Sequence, residues 1–594
     1  MIRTYARRTV FAVFALVLLA GAGYLADRFR DEPTPTRTSG AMTVPIDPIP
    51  PEPATAPMLR PGSDARDADH PPVDHNETAA PEDFHQAKGG DATSDAVMVG
   101  KFNNDAIGAG GGGGGGRFGA RMGGGGAREP MPAGTYHDVG ESGFVKVTDT
   151  PESTVALETH TASYSVVRQQ IETGHLPAKE MVRLEELVNS FRYAYRQPVD
   201  GAPFAVDVEV VSCPWEPTHR IARVGLATAP PPAADQRVPA NLVLLIDVSG
   251  SMSPSQRLPL ILDGLRAMIP NLGPRDRVAI VVYAGAAGLV LPSTPATDVA
   301  TITGALDKLH AGGSTAGAQG LVLAYQEALA NFIPGGINRV ILCTDGDFNV
   351  GVTGTDAIIA LALEYVAKKV FLTVLGVGDG GRFNDAMLEA ISNRCDGHYA
   401  FLDTAGEARR VLVEQLTGTL LTVAKDVKLQ VAFDPARVES YRLLGYENRR
   451  LANKDFADDK KDAGEIGAGH TATALYQLIP VAGAHDAAAP ILRARLRYKL
   501  PASDTSTLLE VPVADPGTAY AQATGETQLA LAIAEFALAL RGSELTKNAS
   551  LDAAHELAKA AVTRFEDGRP PADLAQREAL VRLIERAKGL AAAK

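Results

Sequence analysis

A chain of 594 residues with a formal net charge of −13 is too long for one hydrophobic core and too acidic to have nucleic acid as its main partner. Its length gives a prior of roughly three or four domains, and 45% hydrophobic residues is an ordinary globular share, but the 58 Gly and 39 Pro are concentrated early. Three cysteines, Cys213, Cys343 and Cys395, show no C-x-x-C spacing and exclude a disulfide scaffold; a Cys213–Cys395 bridge in an oxidising compartment is the alternative to free thiols.

Residues 1–29 read as a targeting element. Arg3, Arg7 and Arg8 precede an uncharged apolar stretch from Thr9 to Ala26, closed by Asp27 and Arg28. That stretch lies at the lower limit of the roughly 17–25 residues of a membrane span. The basic flank stays cytoplasmic, so a single-pass anchor in the inner membrane would export everything that follows. A cleaved signal peptide, with Ala20-Gly21-Ala22 as the small-residue site, is the competing reading. The apolar run is not followed by a cysteine, which excludes a lipoprotein anchor. Residues 30–134 have no sustained hydrophobic period and carry glycine runs at 110–116 and 123–126. Such a Pro/Gly-rich stretch cannot offset its conformational entropy and is expected to be a disordered linker.

Residues 135–232 form an N-terminal segment of helix plus strands. Met181, Leu184, Leu187, Val188 and Phe191 at helical spacing predict a helix over 177–195, with Glu185 and Glu186 outward and Pro198 beyond its end. Alternating Val206, Val208 and Val210 predict a strand over 204–212, and a second follows over 220–228. Cys213-Pro214-Trp215 lies between them and holds the chain's only tryptophan.

In residues 240–418 aliphatic strand runs alternate with helical patterns. Strands are expected at 243–247, 278–283, 340–344, 371–376 and 399–402, giving a doubly wound, Rossmann-like α/β sheet. The first run, Leu242-Val243-Leu244-Leu245-Ile246, ends abruptly in Asp247, followed by Ser249, Gly250 and Ser251. Open α/β sheets place ligand sites at such carboxyl ends. Two other loops bring oxygen ligands to the same end: Gly312-Gly313-Ser314-Thr315, and the strand ending Cys343-Thr344-Asp345-Gly346. Two carboxylates within about 4 Å repel by roughly 4 kcal/mol at an effective dielectric of 20. A hard divalent cation turns that penalty into attraction. Asp247, Ser249, Ser251, Thr315 and Asp345 offer only oxygens and leave a position open, which suits Mg²⁺, or Mn²⁺ or Ca²⁺, completed by a partner's carboxylate. Asp347, two residues on, is expected to orient the loop.

This pattern, Asp-x-Ser-x-Ser, then Thr, then Thr-Asp-Gly, resembles the metal-ion-dependent adhesion site of von Willebrand factor type A domains. The resemblance implies Asp247, Ser249, Ser251, Thr315 and Asp345 as the metal ligands. Further stretches, including 281–291, 344–352, Cys213-Pro214-Trp215, Tyr441-Arg442-Leu443-Leu444-Gly445-Tyr446-Glu447-Asn448-Arg449 and 462–470, are similar to one subfamily of bacterial envelope proteins. These have an additional domain on each side of the type A module, the C-terminal one of unknown function. Glu158-Thr159-His160 departs from the subfamily's more usual Asp-Val-Asp, which puts any role of that acidic pair in doubt here.

Residues 419–594 begin with strand runs at 427–433, 441–446, 472–479, 491–500 and 507–513, then helices at 527–540, 551–564 and 573–587. The strands at 204–228 have no sheet of their own, so they are expected to join these in a β-sandwich into which the α/β domain is inserted. Pairing of 204–228 only with each other would contradict this. His470 in Gly469-His470-Thr471 is read as a loop hydrogen-bonder, since neither G-x-S-x-G nor H-E-x-x-H is present to support a hydrolase.

The resulting expectation is a non-enzymatic, divalent-metal-dependent protein-binding module of the bacterial envelope. Its partner would be a protein with an exposed acidic residue. The alternatives are an envelope assembly scaffold with a structural metal and, less favoured, a hydrolase.

Overall fold

The computed structural model describes residue 136 and residues 140–593 except 158–159, 314–316, 347–354, 381–382, 396, 416–417, 419, 462, 485, 502, 565–570 and 572. The anchor expected at 1–29, the linker at 30–134, Thr315 and Asp347 therefore lie outside the described residues. Among those described, no helix is long and apolar enough to cross a membrane.

The first segment holds β1 (Val145–Lys146), β2 (Glu152–Ala156), α1 (Ala162–Glu172), α2 (Leu184–Asn189), β3 (Phe204–Ser212) and β4 (Arg220–Thr228). The α/β domain runs β5 (Ala240–Asp247), α3 (Leu258–Met268), β6 (Arg277–Tyr283), β7 (Ala287–Pro295), α4 (Val299–Leu306), α5 (Gly317–Ala330), β8 (Ile337–Thr344), α6 (Thr355–Val366), β9 (Phe371–Val377), α7 (Asp385–Arg394), β10 (Tyr399–Leu402) and α8 (Ala405–Arg409). Then come β11 (Thr422–Phe433), β12 (Val438–Leu444), β13 (Arg450–Leu451), β14 (Gly464–Gly467), β15 (Thr471–Pro480), β16 (Pro490–Lys499) and β17 (Ser506–Ala514). Helices α9 (Gly525–Arg541), α10 (Leu551–Val562) and α11 (Leu574–Ala592) close the chain.

The α/β sheet has the order β10-β9-β8-β5-β6-β7, parallel except for β7. Every residue of β5 is buried, because helices cover both faces. Leu242, Leu244 and Ile246 face a core shared with α3, and Val243 and Leu245 face the one shared with α5. In register, Leu244 lies between Ile280 of β6 and Ile341 of β8. Strand β7 was not expected: its exposed Leu289 and Val290 break the polar alternation that would have marked an edge.

Two antiparallel sheets enclose a second core. One has the order β1-β12-β15-β4-β3, the other β13-β2-β11-β16-β17 with β14 also on β11. Strand β4 pairs with β15 from Arg220↔Leu478 to Ala227↔Thr471, and β2 with β11 from Glu152↔Ala432 to Ala156↔Lys428. Val224, Leu226, Leu429, Val431, Tyr476 and Leu496 meet between the sheets. Chain from before and after the α/β domain thus shares both sheets, and the domain is inserted into the sandwich as expected.

Helix α9 is buried on all sides from Thr527 to Leu538, in a core it shares with α1, α2, α10 and α11. Each fully buried Leu, Ile or Phe there contributes about 1.5–3 kcal/mol of apolar transfer. The helix expected over 177–195 is in fact a short 3₁₀ turn at Lys179–Met181 followed by α2. Glu185 and Glu186, expected outward, are buried. The reason is tertiary: the second packing face of α2 is polar and points into a charged interface. Cys213, Cys343 and Cys395 are all buried and none forms a disulfide, so the alternative of a Cys213–Cys395 bridge is not realised.

Candidate functional site

Strand β5 delivers Asp247 to the carboxyl end of the sheet, where its Oδ1 accepts a 2.8 Å hydrogen bond from the Ser249 amide. That contact folds the chain back so that the Ser249 and Ser251 hydroxyls lie 3.0 Å apart. Two backbone bonds lash the neighbouring loop to this turn: the Gly312 amide donates to the Val248 carbonyl (2.7 Å) and the Gly250 amide to the Gly313 carbonyl (3.0 Å). Gly313 has φ +86, a left-handed conformation that L side chains rarely adopt. Thr315 follows two residues later, outside the described part. Strand β8 delivers Asp345, and the Thr344 hydroxyl accepts from the Gly346 amide (3.1 Å) to turn the chain.

The structure therefore brings together Asp247, Ser249, Ser251 and Asp345. Asp247 and Ser249 are buried and the Asp345 side chain is only 4% exposed. One oxygen on each carboxylate, Oδ2 of Asp247 and Oδ1 of Asp345, is buried without a hydrogen-bond partner. Burial, with the charge of Asp345 adding to it, pushes the Asp247 carboxyl up to about 6 against the hydrogen bonds from Ser249 and the pull of the adjacent Tyr283 hydroxyl. Unbonded buried anionic oxygens are costly. An all-oxygen set of two carboxylates and two hydroxyls fits a hard divalent cation, which would relieve that cost. By residue type alone, no group of three or more His, Cys, Asp or Glu able to hold a metal occurs among the described residues, so the hydroxyls are integral to the fit.

The sequence reading missed Arg257. Its Nη1 donates to Asp345 Oδ2 (2.5 Å) and to the Ser251 carbonyl (2.8 Å). No sequence signal marked it; in the structure Arg257 is the N-cap of α3, where a cation opposes the helix dipole and no side-chain cap is made. The guanidinium lies along Gly378, at the end of β9, where a Cβ would come within 3.3 Å of Nε. Gly378 in turn is held from outside the domain, since Gln169 of α1 donates to its carbonyl (2.8 Å) and accepts from the Gly380 amide (2.6 Å). Between α1 and this rim lies a cavity of about 750 Å³, bordered by Gln169, Gln170, Thr173, Gln256, Arg257 and Asp379.

A buried ion network fixes α1 and α2 to the α/β domain. Arg183 contacts Glu186 (2.5 Å), Asp385 (2.5 Å) and Glu389 (3.7 Å). The Tyr399 hydroxyl donates to Asp385 (2.8 Å), and Asn448 and Arg449 reach Glu389 from the sandwich. Arg168 pairs with Asp403 and Glu407 nearby.

His470 lies away from this site. Its amide donates to the Thr228 hydroxyl (2.9 Å) and its carbonyl accepts the Thr228 amide (3.0 Å), stitching β4 to the loop before β15. Burial, with Arg192 and Arg410 nearby, pushes its imidazole down to about 4. It borders a second cavity of about 480 Å³ together with His398.

Three family descriptions match the chain in order. They are von Willebrand factor over residues 131–223, von Willebrand factor type A domain over 241–415, and the C-terminal region of the uncharacterized protein YfbK over 418–590. Among curated proteins, the chain is 35% identical over 478 residues to the uncharacterized protein YfbK of Escherichia coli K12, covering 77% of this chain and 81% of that one. It is 32% identical over 193 residues to the uncharacterized protein sll0103 of Synechocystis, covering 32% of this chain and 44% of that one. A solved structure, von Willebrand factor type A from Catenulispora acidiphila, aligns with 62% of this chain and 89% of its own at 18% identity and a TM-score of 0.38.

Proposed function

The chain belongs to the family of the uncharacterized protein YfbK and carries its von Willebrand factor type A domain, and from that premise we propose that it is a divalent-metal-dependent protein-binding module rather than an enzyme. The observation that carries this reading is the pair of buried carboxylates, Asp247 and Asp345, each with an unbonded oxygen beside the Ser249 and Ser251 hydroxyls. Asp247, Ser249, Ser251 and Asp345, with Thr315 from the adjoining loop, would hold Mg²⁺, or Mn²⁺ or Ca²⁺ in its place. Bound there, the ion supplies a positive centre for a carboxylate from a protein partner. The chain's own contribution is to keep the oxygens converged: Asp247 by its Ser249 bond, the turn by Gly250–Gly313, and Asp345 by its strand. The Thr9–Ala26 stretch supports display on the outer side of the inner membrane.

Capture of partners from envelope extract in Mg²⁺, compared with chelator, tests this reading. Asp345→Ala and Asp247→Ala are expected to abolish capture with the fold retained, and metal-independent capture by both variants would overturn it. The Arg183 network, which joins the α/β domain to the sandwich at buried charges, favours a second reading: an assembly scaffold in which the sandwich makes the contacts. Under that reading capture survives Asp247→Ala.

A further inference from the structure

We propose that Arg257 is a built-in competitor for the divalent cation at Asp345, and that a carboxylate entering the adjoining cavity draws it away. The inference rests on the metal-binding reading above. A guanidinium at the N-cap of a helix is in an unfavourable field, so local structure does not explain its position. What holds it is a seat with three walls: the Ser251 carbonyl, the Asp345 carboxylate and the backbone of Gly378. Only glycine serves for the third wall, because φ is +126 there and a Cβ would press on the guanidinium.

Two consequences follow from charge alone. Arg257 neutralises part of the Asp345 charge, using Oδ2 and leaving Oδ1 unbonded. A divalent ion arriving at Asp247 and Asp345 meets a fixed positive charge a few ångströms away, and the two repel strongly in a site with little water. The ion is therefore bound more weakly than the oxygen set alone would bind it. The Arg257 side chain is 25% exposed and borders the 750 Å³ cavity. Among the described residues lining that cavity it is the only arginine or lysine, while the acidic members of an otherwise mostly neutral wall are Glu172, Asp379 and Asp403, the last paired with Arg168. A single carboxylate entering there pairs with Arg257 in the bidentate geometry that guanidinium favours. That removes Arg257 from Asp345 and strengthens cation binding, so ion and carboxylate bind with positive coupling. Runs of acidic residues are disfavoured by Glu172 and Asp379. The partner chemistry that fits is an isolated aspartate, glutamate or chain-terminal carboxylate on a narrow segment.

The test is calorimetric titration of Mg²⁺ into the full-length chain, with and without acetate as the carboxylate probe. Arg257→Gln is expected to bind Mg²⁺ about tenfold more tightly than the parent chain, the scale of one charge-assisted contact removed, and to lose most of the acetate enhancement. Arg257→Lys, which keeps the charge without the fork, is expected to fall between them and serves if Arg257→Gln misfolds. Equal or weaker Mg²⁺ binding by folded Arg257 variants, with Asp247→Ala still abolishing it, overturns this inference alone. Absence of Mg²⁺ binding in the parent chain and every Arg257 variant overturns the metal-binding reading as well.

Discussion

Among the described residues, two of the places that bury acidic side chains together treat them in opposite ways. At the junction of α2 and α7, Glu186, Asp385 and Glu389 each meet a charged or hydrogen-bonding donor from Arg183, Arg449, Asn448, Tyr399 or the Ser163 amide. At the ends of β5 and β8, Asp247 and Asp345 converge with one oxygen apiece unbonded and one exchangeable counter-ion, Arg257. The first arrangement is closed, and removing a member leaves a buried charge exposed to its neighbours. The second is open, and adding a cation is the favourable step. Buried charge thus marks a joint in one case and a site in the other; the site is distinguished by two converging carboxylates with unbonded oxygens beside two hydroxyls.

The largest expected effect comes from breaking the closed network. Arg183→Met should cost about 3–5 kcal/mol, because it strands Asp385 and Glu186 in a buried interface. Chemical denaturation should show that loss equally in Mg²⁺ and in chelator.

The dependence on pH sharpens the contrast. Burial pushes the Glu185 carboxyl up to about 7, with Glu447 and Glu186 adding to it, and the Asp247 carboxyl is raised to about 6. Both folded-state values lie above the unfolded ones, so the folded chain binds protons more tightly than the unfolded chain. Their stabilising contribution is full below about pH 4 and is lost as pH rises through 6 to 7. For Asp247 the loss is of the order of 2–3 kcal/mol. Denaturation curves in chelator from pH 4 to 8 should flatten in part with either Asp247→Asn or Glu185→Gln. Saturating Mg²⁺ should remove the Asp247 component and leave the Glu185 component in place.

Smaller effects are expected at the rim. Gly378→Ala should cost about 1–3 kcal/mol through its positive φ and its pressure on Arg257. Gln169→Ala should cost about 1 kcal/mol for its two bonds to the Gly378–Gly380 loop. Thermal melts of the two variants rank them, and a Gln169→Ala loss as large as that of Arg183→Met would erase the distinction drawn above.

Period and punctuation in the sequence determined much of this protein. The uniformly apolar run 242–246 could only be a strand covered on both faces, and β5 is one. Asp247, Ser249, Ser251 and Asp345 were legible because Asp247 ends β5 and the others sit one to four residues beyond a strand, where local chain geometry fixes the position. The orphan strands at 204–228 were legible as part of a larger sheet, since they alternate but lack partners nearby. Tertiary structure alone decided the rest. Glu185 and Glu186 looked like a solvated helix face because no local rule announces Asp385, some two hundred residues away, or the interface that buries them. Helix α1 was invisible because Ala162 and Val166 serve one core while Tyr164, Val167 and Ile171 serve another, which blurs any single apolar stripe. Arg257 reads as an ordinary surface arginine until β8 brings Asp345 to it and α1 steadies the glycine beneath it. Local order follows from neighbours in sequence, whereas the state of a buried charge depends on groups that only folding brings near.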